Sequence, residues 1–104
     1  MASIYKVSFT PQAEADLFQI YADISEVAWP PSAKRWANKI LDSAEALALF
    51  PEGNPTYEYD TRYHSSRIGK YRIIYEIDDT SKIVSILRIV YARRNLKKIP
   101  MKKR

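Results

Sequence analysis

The sequence predicts an α+β fold in which an N-terminal strand is followed by an antiparallel helical hairpin and a three-stranded antiparallel meander, in the order β-α-α-β-β-β. Three observations support this fold class: an alternating run near the N-terminus, two runs of apolar residues at helical spacing, and three β-rich runs after residue 60. Since amphipathic helices must bury their apolar stripes, we expect both helices on one face of the sheet.

The first strand is predicted from Ile4 to Phe9, where apolar and polar side chains alternate. Thr10 and Pro11 then end the strand and begin a helix. Threonine suits the N-cap, and proline suits the first helical position because its missing N–H would have no partner there.

The first helix is predicted from apolar residues at helical spacing, namely Ala13, Leu17, Ile20, Tyr21, Ile24 and Ala28. Its opposite face is predicted to be polar and mostly acidic, with Asp16, Gln19, Asp23 and Glu26. Trp29-Pro30-Pro31 cannot continue a helix, so the chain should turn there.

A second helix is expected to be capped by Ser32 and stopped by Pro51 and Gly53. Its apolar stripe consists of Ala33, Trp36, Ala37, Ile40, Ala44, Leu47 and Ala48. A short connection between two helices with matching stripes predicts that they run antiparallel.

After a loop-like segment from Glu52 to Asp60, three β-rich runs follow: Arg62 to Ile68, Lys70 to Ile77 and Lys82 to Tyr91. We predict that they form the antiparallel meander. The last two runs should pair as a hairpin, because only the turn-like stretch Asp78 to Ser81 separates them.

Length and composition are those of one domain. The 104 residues, 46% of them hydrophobic, suffice for one core, so we expect a single domain over residues 1–104 with a basic tail at about 93–104. Cysteine is absent, which excludes disulfides and cysteine metal ligands and fits a cytoplasmic protein. The longest uncharged runs have seven residues, far below the roughly 20 of a membrane span, so we expect no membrane partner.

Charge is divided unevenly along the chain. Residues 1–60 hold four basic and nine acidic side chains, a net charge of −5, whereas residues 61–104 hold thirteen basic and three acidic ones, a net charge of +10. A basic half of this kind favours an acidic partner, either a phosphate backbone or an acidic protein segment. A surface that only keeps the protein soluble is the alternative.

The predicted hairpin brings two arginines together. If Asp78 faces Lys82, Arg72 lies directly opposite Arg88 on the sheet face away from the core, where like charges repel. The pair makes sense if an anion lies over it, because the guanidinium fork suits phosphate and carboxylate groups alike. That anion is either a ligand or an internal carboxylate, for which Glu58, Asp60 and Glu76 are the candidates.

Further basic and aromatic side chains belong to the same half of the chain: Arg67, Arg93 and Arg94, interleaved with Tyr63, Tyr71 and Tyr91. Such mixtures are typical of single-stranded nucleic acid binding, although tyrosine also simply favours strands. His64, the one histidine, is either a proton-transfer group or an ordinary strand residue. Phosphate loops, metal-binding spacings and serine triads are all missing, so we expect no cofactor and no metal.

Four strings in the chain resemble the RelE/ParE superfamily of bacterial type II toxins, and the resemblance covers nearly the whole sequence. They are V-S-F-T-P-Q-A-E-A-D-L at Val7 to Leu17, L-F-P at Leu49 to Pro51, Y-R-I-I-Y-E-I at Tyr71 to Ile77, and I-V-Y-A-R-R-N-L at Ile89 to Leu96. The resemblance implies a toxin of a plasmid-stabilisation type system that a cognate acidic antitoxin neutralises.

The two branches of the superfamily imply different targets. ParE-like toxins inhibit DNA gyrase, whereas RelE-like toxins are endoribonucleases that cut mRNA on the ribosome with lysines, arginines and often a tyrosine or histidine. The RelE lysines would fall near Tyr63 and Ser65, and their absence favours the ParE branch. The ending at Tyr91 to Leu96 looks like the ParE-type H-G-R-R-D-L, with Tyr91 in place of the common His and Asn95 in place of the common Asp.

The resemblance also implies roles for single residues. Arg72 matches the arginine of the third-strand motif, and Arg93 matches the arginine that ends the last strand. If the protein is a ribonuclease, the resemblance implies that Arg72, Arg93 and Tyr91 are its catalytic residues. In either branch, the residues expected to bind the target or a nucleic acid are Arg67, Arg72, Arg88, Arg93 and Arg94.

Overall fold

Five strands form one mixed sheet in the computed structural model, which describes residues 4–27, 30–93 and 100–101. The strands are β1 (Lys6–Phe9), β2 (Thr56–Tyr57), β3 (Asp60–Ile68), β4 (Tyr71–Asp78) and β5 (Ile83–Tyr91). Their spatial order is β1-β5-β4-β3-β2, in which β1 runs parallel to β5 and every other neighbour is antiparallel. The predicted meander is therefore confirmed as β3, β4 and β5.

Two helices follow β1 before the meander begins: α1 (Pro11–Val27) and α2 (Pro30–Glu45). Thr10 caps α1, since its Oγ1 accepts a hydrogen bond from the backbone N–H of Ala13 at 3.1 Å. The predicted turn at Trp29 lies outside the described residues. In the described part of the chain, neither helix is long and apolar enough to cross a membrane.

The second helix begins at Pro30, two residues before the predicted cap at Ser32. The reason is that proline fits the first turn of a helix, where its N–H is not needed and its fixed φ is already helical. The helix ends at Glu45, and a short 3-10 helix at Ala46–Ala48 follows within the stretch predicted to continue it. A second 3-10 helix at Pro51–Gly53 and strand β2 overlap the segment predicted as a loop.

Each face of the sheet has its own apolar cluster. The helices cover one face, where residues of the helices and of the strands form the larger cluster. Its members include Ala13, Ile20, Ile40 and Ala44 from the helices and Ile73, Tyr75, Val84, Ile86 and Ile89 from the strands. The other face, called here the open face, carries the smaller cluster of Tyr57, Tyr63, Ile74, Leu87 and Val90, against which Met101 packs. Both helices thus lie on one side, as predicted, while the second side is only partly covered.

The register of the β4–β5 hairpin differs from the prediction. Asp78 faces Ile83 rather than Lys82, so the turn is one residue longer than predicted. In this turn the Asp78 Oδ1 accepts hydrogen bonds from the N–H groups of Thr80 and Ser81. Lys82 follows with a left-handed φ of 56°. A bulge at Leu87 shifts the pairing once more, so that Ile74 faces Arg88.

This shift separates the two predicted partners. Arg72 lies opposite Val90 on β5, not opposite Arg88. On its other side, however, Arg72 lies directly opposite Arg67 of β3. The open face therefore does contain a cross-strand arginine pair, but the second member is Arg67.

Candidate functional site

Arg72 is a cation of the open face that is held by several contacts. Its guanidinium donates to both carboxylate oxygens of Glu58, at 3.1 and 2.6 Å, and to Oγ of Ser65 at 2.6 Å. It also lies over the ring of Tyr57, 5.5 Å from the centroid. The Arg72 side chain is 14% exposed and that of Glu58 is 53% exposed, so the cation is fixed within the fold and the carboxylate faces solvent.

The ion pair changes the ionisation of both partners. The hydrogen bonds from Arg72 lower the pKa of the Glu58 carboxyl below its usual value, and the same bonds raise the pKa of Arg72. Both groups are therefore charged near neutral pH. Of the three internal carboxylates considered from the sequence, Glu58 is the one that pairs with Arg72.

Arg67 adds a second positive charge beside this pair. Its Nε donates to the backbone oxygen of Gly69 at 2.9 Å, and its side chain is exposed. Among the described residues no carboxylate forms a salt bridge with it. The two arginines line a groove of about 430 Å³ whose other walls are Asn54, Pro55, Glu58, Ser65 and Ala92. We call it the arginine groove.

A second groove, of about 600 Å³, continues from the first around the end of the sheet, because Arg67 and Ala92 line both. Its lining adds two aromatic rings, Trp36 of α2 and Tyr91 of β5, and two cations, Lys70 and Arg93. Gly69 shapes this end, since its φ is +59° and an added Cβ would lie 2.8 Å from the Trp36 ring. The predicted residues Arg67, Arg72 and Arg93 are thus brought to one end of the sheet.

Arg88 does not belong to this surface. It is 5% exposed and donates to both carboxylate oxygens of Asp16, at 2.7 and 3.1 Å, and to the carbonyl of Pro100 at 3.0 Å. The structure places it in a nearly buried ion pair rather than on a surface that binds a target. Asp16, in turn, is not on the outer face of α1 as predicted, because it shares the inward side with Ala13 and Ile20. Arg94 lies outside the described residues.

Tyr91 and His64 lie on the side of the sheet away from Arg72. Tyr91 packs on Tyr71, with ring centroids 4.9 Å apart, and burial and the hydrogen bond with Tyr91 raise the pKa of Tyr71. His64 stacks on Tyr75 at 5.7 Å, and its buried Nδ1 has no hydrogen-bond partner in the described part of the chain. Neither residue reaches the arginine groove, since neither lines it.

Several residues of these grooves were not predicted as site residues, among them Asn54, Ser65, Lys70 and Trp36. Ser65 is two residues from Tyr63 and two from Arg67 along β3, and residues two apart in a strand share one face. Its place on the open face therefore follows from strand periodicity once the strand is known. The sequence places Trp36 on the apolar stripe of α2, and only the packing of its ring against Gly69 shows that it also borders the second groove. Groups of His, Asp or Glu that could hold a metal ion are missing from the described residues.

The sequence profile of one family matches residues 7–96, and its description is "ParE toxin of type II toxin-antitoxin system, parDE". The chain belongs to this ParE toxin family. It is accordingly the toxin component of a type II toxin-antitoxin system, in agreement with the resemblance found in the four sequence strings. No curated protein sequence matches the chain.

Solved structures similar to this ParE family member come from both branches of the superfamily. The chromosomal ParDE system from P. aeruginosa matches with a TM-score of 0.75 and 18% identity over 86% of this chain and 98% of that chain. The toxin-antitoxin complex RelBE2 from Mycobacterium tuberculosis matches with a TM-score of 0.64 and 31% identity, over 85% and 98%. A mutant of the E. coli toxin RelE in the free state matches at 0.64 with 12% identity, over 90% of each chain.

Proposed function

We propose that this ParE family member inhibits DNA gyrase in the cytoplasm as a single-domain toxin, and that a cognate antitoxin neutralises it. The observation that carries the proposal is the match of the ParE profile to residues 7–96, which includes the basic end of the last strand. Gyrase inhibition requires binding to a protein target and no chemical step by the toxin itself.

The composition of the arginine groove supports a binding role over cleavage. Cutting RNA through its own 2′-hydroxyl needs a general base and a general acid beside the cations. Glu58 is the carboxylate that lines the groove, and it is engaged by Arg72. His64 and Tyr91 lie on the other side of the sheet. The groove therefore holds cations without an unengaged proton-transfer group among its lining residues.

A supercoiling assay with purified gyrase tests the proposal most directly. We expect the protein to inhibit supercoiling in proportion to its concentration, and to leave mRNA intact in a translation assay with or without ribosomes. Inhibition of neither process would contradict the assignment. Cleavage of mRNA that depends on ribosomes, with gyrase unaffected, would replace it by the RelE-like function.

The RelE-like function is the alternative because of one specific observation. The toxin-antitoxin complex RelBE2 from Mycobacterium tuberculosis shares 31% identity with this chain, more than the 18% of the ParDE system. In that case Arg72 and Arg93 would bind the scissile phosphate and Tyr91 would take part in proton transfer. Tyr91 lines the second groove with Arg67 and Arg93 but not the arginine groove that contains Arg72, which weighs against this arrangement.

We further propose that the antitoxin is acidic and seats apolar side chains between the two helices. A groove of about 350 Å³ runs along α1 and α2 and is lined mainly by Phe9, Leu17, Phe18, Tyr21 and Leu41. Phe18 and Tyr21, which both line this groove, are 74% and 38% exposed, and a contiguous exposed apolar patch marks an interaction surface. The net charge of +10 in residues 61–104 would attract the acidic partner from a distance.

A substitution on α1 tests this seat. Phe18→Asp should weaken antitoxin binding about tenfold or more, because a buried aromatic anchor contributes about 2 kcal/mol to a typical interface. Val27→Asp is the matched control, since Val27 is also on α1 and 86% exposed but does not line the groove. Equal losses in both variants, measured by calorimetric titration with the co-encoded antitoxin, would contradict the proposed seat.

A further inference from the structure

Glu58 occupies the position on Arg72 that an anionic ligand would use. It belongs to the turn between β2 and β3, and its two oxygens take both terminal nitrogens of the guanidinium. A phosphate group binds arginine through the same two-pronged geometry. Since the Glu58 side chain is 53% exposed, its carboxylate can leave the guanidinium without opening the core.

The rest of the groove has more donors than one carboxylate can use. Ser65 presents a hydroxyl that lies 2.6 Å from the Arg72 guanidinium, and Arg67 stands opposite Arg72 across the two strands. Asn54 also lines the groove, and its side-chain nitrogen, which donates to the Tyr75 hydroxyl at 3.2 Å, has a second N–H. With Glu58 bound, its carboxylate engages Arg72 alone, while Arg67 donates to the Gly69 carbonyl and has no salt bridge among the described residues. Without Glu58 the groove carries two uncompensated positive charges. The fold thus contains more cationic capacity here than its own anion satisfies.

We propose that Glu58 is an internal competitor for a phosphate-binding site formed by Arg67, Arg72 and Ser65. The ligand is a phosphate group, whose oxygens point in several directions and so match donors from both strands better than a planar carboxylate does. This inference goes beyond the proposed function, because gyrase inhibition concerns a protein target whereas this site takes a phosphate group. Bound phosphate replaces the Glu58 carboxylate, which turns out to solvent.

A matched pair of variants tests the competition. Glu58→Gln removes the competing charge, while Asp60→Asn removes the same charge two residues away, where the carboxylate pairs with the exposed Arg62 at 2.6 Å instead. The full chain is titrated with inorganic phosphate, and binding is followed by NMR at the Ser65 amide and the Arg72 Nε–H. We expect Glu58→Gln to bind phosphate about tenfold more tightly than wild type, and Asp60→Asn to stay within about twofold.

Three results would overturn the proposal. Equal tightening in Glu58→Gln and Asp60→Asn would show only a general effect of charge. Weaker binding in Glu58→Gln would show that Glu58 orients Arg72 for the ligand rather than blocking it. A gain that survives in the double variant Glu58→Gln, Arg72→Ala would place the phosphate elsewhere. Thermal unfolding of each variant checks that it is folded.

The source and the chemistry of the anion are resolved by parallel titrations at constant ionic strength. Inorganic phosphate represents the free anion, and a thymidine oligomer of about ten nucleotides represents a nucleic-acid backbone. Binding of the oligomer should depend on salt, because a backbone makes several phosphate contacts. Acetate represents a carboxylate. We expect both phosphate probes to respond to Glu58→Gln and acetate to bind at least tenfold more weakly; acetate binding equal to phosphate would overturn the assignment. These titrations contain no gyrase. A failed supercoiling assay therefore does not contradict the phosphate site, and a failed titration does not contradict gyrase inhibition.

Discussion

Asp16 of α1 and Arg88 of β5 form an ion pair that joins a helix to the free edge of a strand 72 residues later in the chain. Strand β1 pairs with β5 only as far as Ile86, so the next part of this edge lacks a neighbouring strand among the described residues. The Asp16 carboxylate replaces it, since Oδ2 also accepts the N–H of Ile89 at 3.0 Å. One side chain thereby pairs a nearly buried cation and satisfies an edge amide.

The first prediction concerns this pair. Asp16→Asn should lower the free energy of unfolding by about 3 kcal/mol, because it leaves the nearly buried guanidinium of Arg88 without its counter-charge. Asp42→Asn removes the same charge from an exposed position on α2 and should change the free energy of unfolding by less than about 0.5 kcal/mol. Urea unfolding followed by circular dichroism gives both values. Similar losses in the two variants would show that the ion pair adds nothing specific.

The second prediction concerns Arg72. Arg72→Ala should abolish growth inhibition when the toxin is induced without antitoxin, while the free energy of unfolding falls by only about 1–2 kcal/mol. Arg72→Lys should restore inhibition only in part, because an ammonium cannot donate in a two-pronged manner. Arg62→Ala is the control, since Arg62 is 73% exposed and lies outside the groove. If Arg72→Ala unfolds the protein, the arginine is structural and its assignment to target binding is wrong.

The third prediction concerns the end of the chain. Ending the chain after Ile99 removes the Pro100 carbonyl that accepts from Arg88 and the Met101 side chain that packs on the open-face cluster. We expect a loss of about 1–3 kcal/mol in the free energy of unfolding. Ending it after Met101 instead removes three basic residues and keeps both contacts, so the free energy of unfolding should be unchanged. Chemical unfolding of the two truncated proteins distinguishes a packed segment from a purely electrostatic one.

The fourth prediction concerns alkaline pH. The Tyr5 hydroxyl donates to Asp79 and, at 3.4 Å, to Glu52. These carboxylates, together with desolvation, raise the pKa of Tyr5 to about 12 from the ordinary value of 10. Because the folded-state pKa is the higher one, this contribution to stability is complete below pH 10 and is lost as pH rises towards 12. Tyr5→Phe should therefore reduce the loss of stability between pH 9 and 12, measured by urea unfolding, and a pH dependence identical to wild type would contradict the prediction.

The elements of the fold were predictable because each one has a local cause. The alternation in β1, the cap at Thr10 and the helical spacing of Ala13 and Ile20 depend on residues a few positions apart. The register of the hairpin was not predictable to the residue, because the left-handed Lys82 and the bulge at Leu87 each move the pairing by one position. Neither feature is marked by a glycine.

The sequence by itself determined that a basic C-terminal half would present arginines on one face of a meander, since charge distribution and strand alternation are properties of the chain. Only the tertiary structure decided which arginines lie together in the groove. Arg88 is withdrawn into a pair with Asp16, and Arg67 takes the place opposite Arg72. The physical reason is that these ion pairs join residues far apart in the sequence. Arg72 and Glu58 are 14 residues apart, and Arg88 and Asp16 are 72 residues apart, so the local sequence pattern does not encode their contacts.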